Sequence, residues 1–369
     1  PLHAPDHWWS LPLAIALISS IGVVGVFMGS AYFAWMGDLI PRSVRGRYWG
    51  NRMRLVIAAK LIFAALFAWA AKTWPLTEGP WGMQVIIITA AMSRYLSAWL
   101  LIKQPVVVRN ARPRQAGHTQ RMESTSTLMR FIRSLWNTDI GRWTSVWACL
   151  QFGLMVAGPY FAVYWLLPSP QGLDLANSPI RYSVLIWTGT LARLAAYPLM
   201  GRMVDRYGPT AMLRASVACI LVVPIIWGIS IDLPVLIGIE IISGMAWCAA
   251  ESAIGVLLLS CDEDANVRAR LIGYHQVVIG GAAVAGTNLG GALMYFDLLP
   301  ELGGSVYRSL FIASFVLRIP AVIMAARFLP PLRDADSGRL IGLWRLIPGV
   351  QPTLTASRGL LRLFRRPDG

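Results

Sequence analysis

Long stretches of this chain carry almost no charge, and no other feature constrains its fold as strongly. A bilayer's hydrocarbon core is about 30 Å thick, which a helix of about 20 apolar residues crosses. Nine such runs can be read, at residues 11–35, 55–74, 81–102, 143–167, 183–200, 211–231, 234–260, 271–296 and 309–329. They are continuous rather than alternating, so helices are expected and a strand barrel is not. Composition agrees. The chain is 56% hydrophobic and 14% charged, whereas soluble domains average about 25% charged residues. The expected class is an all-α membrane protein with about nine transmembrane helices and the lipid bilayer as its first partner.

The formal charge of +15 raises nucleic acid as a partner, but its distribution argues against that. The cations cluster in every second connection. Arg42, Arg45, Arg47, Arg52 and Arg54 follow the first run; Lys103, Arg109, Arg112 and Arg114 open the segment after the third. Arg202, Arg206 and Arg214 follow the fifth, and Arg268 and Arg270 the seventh. The other connections are nearly neutral or acidic, with Glu78, Asp174, Asp232 and Asp297. Positive charge stays in the cytoplasm. The predicted topology therefore puts the amino terminus outside and the carboxyl terminus in the cytoplasm, and the bacterial inner membrane is the expected location. Residues 103–142 form a basic cytoplasmic linker. They divide residues 1–102, with three helices, from residues 143–332, with six. Residues 333–369 carry two short basic amphipathic segments, a pattern suited to an anionic membrane surface.

One short stretch occurs twice. Val44-Arg45-Gly46-Arg47-Tyr48-Trp49-Gly50 is echoed, 223 residues later, by Val267-Arg268-Ala269-Arg270-Leu271-Ile272-Gly273. Each copy lies between apolar runs and has an acid upstream, Asp38 or Asp262. A fixed offset in an apolar chain points to two related halves, as many transporters have.

Two motifs resemble the major facilitator superfamily. Gly201-Arg-Met-Val-Asp205-Arg206-Tyr-Gly208 is similar to that family's loop signature G-x-x-x-D-R-x-G-R-R, with Pro209 and Thr210 in place of the last two cations. The stretch from Trp35 through Asp38, Pro41, Arg45, Gly46, Arg47 and Gly50 to Arg52 resembles the loop after the family's fourth helix. The resemblance implies a partial fold of three plus six helices, equivalent to the fourth to twelfth. The first three are then absent from residues 1–369 or supplied by another polypeptide. It also implies a conformational latch at the cytoplasmic side, built from Asp205, Arg206, Gly201 and Gly208 with Asp38, Arg45, Arg47, Arg268 and Arg270. The plainer account of the Gly208-Pro209 pair is a tight turn, with glycine at positive φ and proline opening the next helix.

Ionisable residues inside apolar runs are costly and face a cavity, a partner or a proton path. Glu240 and Glu251 share a run and lie 11 residues apart, about three helical turns, so they share a face. They and Arg94 and Gln151 are the candidates for a substrate or proton path, against structural pairing with Arg94, Arg193 or Arg318. Lys60, Arg193, Arg318 and His275 lie nearer run ends and are expected to reach an interface. The four cysteines show neither metal-ligand spacing nor a disulfide pattern. There is no nucleophile–base pair and no nucleotide loop, so neither an enzyme nor a cofactor is expected. Two functions fit: a secondary transporter of a small solute, coupled to an ion gradient, or a transporter-like structural subunit of a membrane complex.

Overall fold

The computed structural model describes residues 24–25, 28–73, 81–103 and 128–329. The amphipathic tail, most of the linker and the first 23 residues lie outside these. Among the described residues the chain is nearly all helical; the sole β feature is an isolated bridge between Leu302 and Ser305. The helices are α1 (28–39), α2 (Arg45–Thr73), α3 (Trp81–Ile102), α4 (Leu128–Arg133), α5 (Asp139–Ala157), α6 (Tyr160–Leu166), α7 (Pro179–Tyr207), α8 (Pro209–Ile229), α9 (Leu233–Leu259), α10 (Ala265–Tyr295) and α11 (Val306–Phe328). Five are long and apolar enough to cross a membrane: α5 with α6, then α8, α9, α10 and α11.

Packing runs as a chain of neighbours. α10 lies on α5, α5 on α11, α11 on α8, α8 on α9, α9 on α7, and α7 on α2. α1 joins at one end, where Met36, Ile40, Trp49 and Leu259 form a small core. The main core lies between α5, α8 and α9 and includes Val146, Leu150, Leu213, Val217, Ala250 and Leu257. A second, aromatic core closes the opposite end. There Phe161 stacks on Phe311 at 4.4 Å and meets Trp227 edge-on at 5.4 Å.

The run read as one helix over residues 143–167 is a single membrane-length span with a local break in its hydrogen bonding. α5 stops at Ala157 and α6 starts at Tyr160, because Gly158-Pro159 supplies a residue without a side chain and one without an N–H. Two residues expected at an interface are interior instead. His275 is 1% exposed and Arg318 2%. Thr144 Oγ1 donates its single proton to the Ile140 carbonyl at 2.7 Å and lies 2.8 Å from His275 Nδ1. Thr144 thus gives the buried imidazole a hydrogen-bonding partner on another helix.

Arg318 has a different reason to be inside. Pro224 interrupts α8 and has no N–H to give to Ile220, four residues back. Arg318 Nη1 donates to that carbonyl at 3.2 Å. Arg318→Met is expected to cost about 1–3 kcal/mol, the penalty of an unsatisfied buried acceptor. Pro224→Ala in the same background should recover part of it, since residue 224 then donates along the helix. Thermal unfolding of the four proteins as a double-mutant cycle measures this; strictly additive losses would show that Arg318 is kept for another reason.

α10 is the open member of the bundle. Of its most apolar stretch 11% is buried, against 33–50% for the other four membrane-length helices. One face presses on α5 through Gly286 and Gly290, while a Cβ on Gly273, Gly280 or Gly281 would meet nothing within 4 Å among the described residues. The described side chains of α3 are exposed throughout, Arg94 among them, so Arg94 is not the buried cation expected of a residue in mid-run.

Candidate functional site at the basic end of the bundle

α2 begins without an acid in its first turn, and its first N–H groups have no partner within the helix. The partner comes from α7. Asp205 Oδ1 accepts from the Gly46 amide at 2.7 Å and Oδ2 from the Arg47 amide at 2.8 Å. Arg47 Nε stands 3.5 Å from the same Oδ2. Asp205 sits in the last turn of its own helix, where the macrodipole disfavours an anion, and is compensated by the positive start of α2. The two helices come close enough for this because Gly46 and Gly201 face each other. A Cβ on either would strike the other's carbonyl oxygen, and one on Gly46 would also strike the Asp205 carboxylate. Gly208 comes next at φ 87°, and Pro209 opens α8. Arg206 takes no part in the cap. It is exposed and lies over the Tyr207 ring at 5.4 Å.

A second set of contacts joins α1, α9 and α10. The end of α1 leaves carbonyl groups open, and two buried arginines fill them. Arg45 Nη2 donates to Gly37 at 2.7 Å and Nε to Ile40 at 3.2 Å, while Nη1 reaches Ser260 Oγ at the end of α9. Arg268, 2% exposed, donates to Asp38 at 2.7 Å, to the Asp262 carbonyl at 2.7 Å and to the Ala34 carbonyl. Its guanidinium passes over Gly37, where a Cβ would stand 2.7 Å from Nε. The two arginines of the sequence repeat thus meet at one joint. Arg42 and Glu263 pair across its rim at 3.0 Å, in the open. Between the two connecting loops lies a cleft of ≈ 300 Å³, lined by Asp38, Arg42, Arg45, Asp262, Glu263 and Arg268. Arg270, near the start of α10, has a half-exposed side chain. Burial pushes the Cys261 thiol beside this joint up to about 12, so it is a protonated thiol at neutral pH.

The third locus lies further along α7 and α9. Glu251 accepts from Arg193 Nη2 on one carboxylate oxygen and from the Tyr197 hydroxyl on the other. Cys248 Sγ donates to the Arg193 carbonyl at 3.3 Å. α2 covers this side with Ile57, which packs with Ala196, Tyr197 and Cys248. Glu240 faces α7 at Gly189, where a Cβ would come within 2.6 Å of Oε2. The two acids therefore both address α7, and Glu251 has an arginine partner. Gln151 is half-buried on α5, and its Oε1 has no partner among the described residues.

Sequence reading did not pick out Tyr197 or Ser260. Tyr197 stands four residues after Arg193, the spacing of two side chains on one helix face, and that signal was available. Nothing in the sequence marks Ser260. No metal-binding group of three or more His, Cys, Asp or Glu occurs among the described residues. The chain matches no protein-family model and no curated protein.

Proposed function

We propose that this chain is a secondary transporter of the major facilitator type. It moves a small solute across the bacterial inner membrane by alternating access, coupled to an ion gradient. The reading expects nine membrane helices, three before the linker and six after it, with the basic end of the bundle in the cytoplasm; the five described helices long and apolar enough to cross a membrane are consistent with it. The observation that carries it is Asp205. The acid of the loop signature caps the helix that follows the first basic loop, so the motif joins one half of the chain to the other. The Arg45 and Arg268 joint beside it adds further contacts between α1, α9 and α10 at the end that this reading puts in the cytoplasm. A few kcal/mol held in such contacts is enough to bias a two-state equilibrium.

Glu240 and Glu251 are the proton-carrying candidates, both on α9 and both facing α7. The full chain in proteoliposomes tests both parts. Cysteines at Arg42 and Glu263, joined by a short bis-maleimide in a background without the native cysteines, should stop solute uptake. Glu240→Gln or Glu251→Gln should remove its response to a pH gradient. Uptake that continues at full rate in the bridged protein would refute alternating access through this end.

A second reading draws on α10 and α3. Their open faces suit a transporter-like subunit packed against another polypeptide in a membrane complex. Absence of uptake for a broad solute panel, together with co-purification of a membrane partner, would favour it.

A further inference from the structure

Three observations meet at Arg193. It gives one N–H to a Glu251 oxygen, while the other oxygen takes the Tyr197 hydroxyl. Its Nε is buried and has no hydrogen-bond partner among the described residues. The pair is not sealed: the side chains of Arg193 and Glu251 are 31% and 28% exposed. The Nε and Nη2 groups form the edge of a guanidinium that presents two parallel N–H bonds, the fork a carboxylate matches. Here only half of that fork is used, and the group using it is itself a carboxylate.

We propose that Arg193 and Tyr197 are the recognition site for a solute bearing a carboxylate group, and that Glu251 holds the site until the solute arrives. This rests on the transport reading. The entering carboxylate takes the Nε and Nη2 hydrogens of Arg193, and Glu251 withdraws. Charge governs the protonation of Glu251 from that point. With Glu251 bound, the cation and the carboxylate cancel. With solute bound and Glu251 still ionised, the site carries one uncompensated negative charge at membrane depth, which is strongly disfavoured. Glu251 therefore takes one proton from water. An O–H bond forms on its carboxyl group, and the bond broken is that of the proton to its hydronium carrier. Release of the solute and return of Glu251 to Arg193 reverses both. One anion and one proton move together, and no net charge crosses with them.

The titratable and charged groups facing Glu251 are Arg193 and Tyr197 from α7 and Cys248 from its own helix. α2 contributes the apolar Ile57 to the same cluster, with Met53 and Leu61 beside it. Arg193 is the cation of that set, with Glu240 also within reach of its charge, and it is the group for which Glu251 and the entering carboxylate compete. A carboxylate is the expected ligand because the group that Arg193 and Tyr197 hold now is itself a carboxylate.

Calorimetric titration of the detergent-solubilised full chain with acetate and benzoate tests the proposal, with acetamide, benzamide and inorganic phosphate as comparisons. The acids should bind and the amides and phosphate should not. Affinity should fall as pH rises, since one proton enters with the anion. Glu251→Gln should still bind benzoate but with a flat pH profile. Tyr197→Phe should weaken binding about fivefold to tenfold, and Arg193→Gln should abolish it. If Arg193→Gln does not fold, Arg193→Lys keeps the charge without the fork and should bind at least about tenfold more weakly. Equal binding of benzamide, a wild-type chain that binds no acid, or a retained pH slope in Glu251→Gln would each overturn the assignment. Uptake limited to neutral or cationic solutes in proteoliposomes would also overturn it, while leaving transport intact. Benzoate binding without uptake would leave the site standing and remove transport.

Discussion

Arg268→Met is expected to be among the most damaging single changes in this chain, at about 3–5 kcal/mol. The side chain is 2% exposed and serves three acceptors on two sides of a joint. Methionine fills the volume but leaves Asp38 without this cation and leaves the Ala34 and Asp262 carbonyls without this donor. Breaking a buried pair by removing one partner costs more than removing both, because the remaining charge is stranded. The double variant Arg268→Met with Asp38→Leu should therefore be more stable than Arg268→Met alone. Unfolding in detergent, followed by circular dichroism against temperature, gives the comparison. A single-variant loss below about 1 kcal/mol, the range of exposed pairs, would mean that the joint is held by apolar packing.

Asp205→Ala carries the second large effect, at least about 2 kcal/mol. The carboxylate caps α2 through two charge-assisted hydrogen bonds, and bonds to a charged group are worth about 1.5–3 kcal/mol. Asp205→Asn keeps one acceptor oxygen and should lose less. The local signature is specific, since the amides of Gly46 and Arg47 lose their acceptor and should exchange with solvent deuterium faster. Unchanged protection at those two amides would mean that α2 is capped by something other than Asp205. Gly201→Leu should reproduce the loss through sterics alone, by pushing α7 away from the Gly46 carbonyl.

The helices were legible where continuous apolar length marks them. α3 begins and ends where its run does, and α9 differs by one residue at each end. The break at Gly158-Pro159 was equally visible in principle, since both residues oppose a continuous helix, but apolar length masked it. The Asp205 loop stood out because its spacing is a motif, and its partner did not, because a helix start 159 residues away leaves no trace in local spacing. Arg318 and His275 show why nearness to a run end is a poor guide. Which way a side chain points depends on neighbouring helices, and in both cases an acceptor on another helix, Ile220 or Thr144, decided it. Arg94 fails in the opposite sense: its depth in a run says nothing about whether a neighbour covers it. Glu251 fell between. Its partner Arg193 was among the arginines considered, but only contact between α7 and α9 selects it over Arg94 and Arg318.

Gly50 and Gly273 occupy the same place in the two copies of the repeated stretch, yet their surroundings have parted. A methyl group on Gly50 would run into the Tyr197 carbonyl and the Gly201 backbone, while one on Gly273 would meet nothing within 4 Å among the described residues. The same letter is thus obligatory in one copy and optional in the other. Likeness between the copies records a shared pattern, but tolerance to change depends on the neighbours each copy has. Substitution would be purged at residue 50 and free to accumulate at residue 273, and the repeat would erode from the α10 side first.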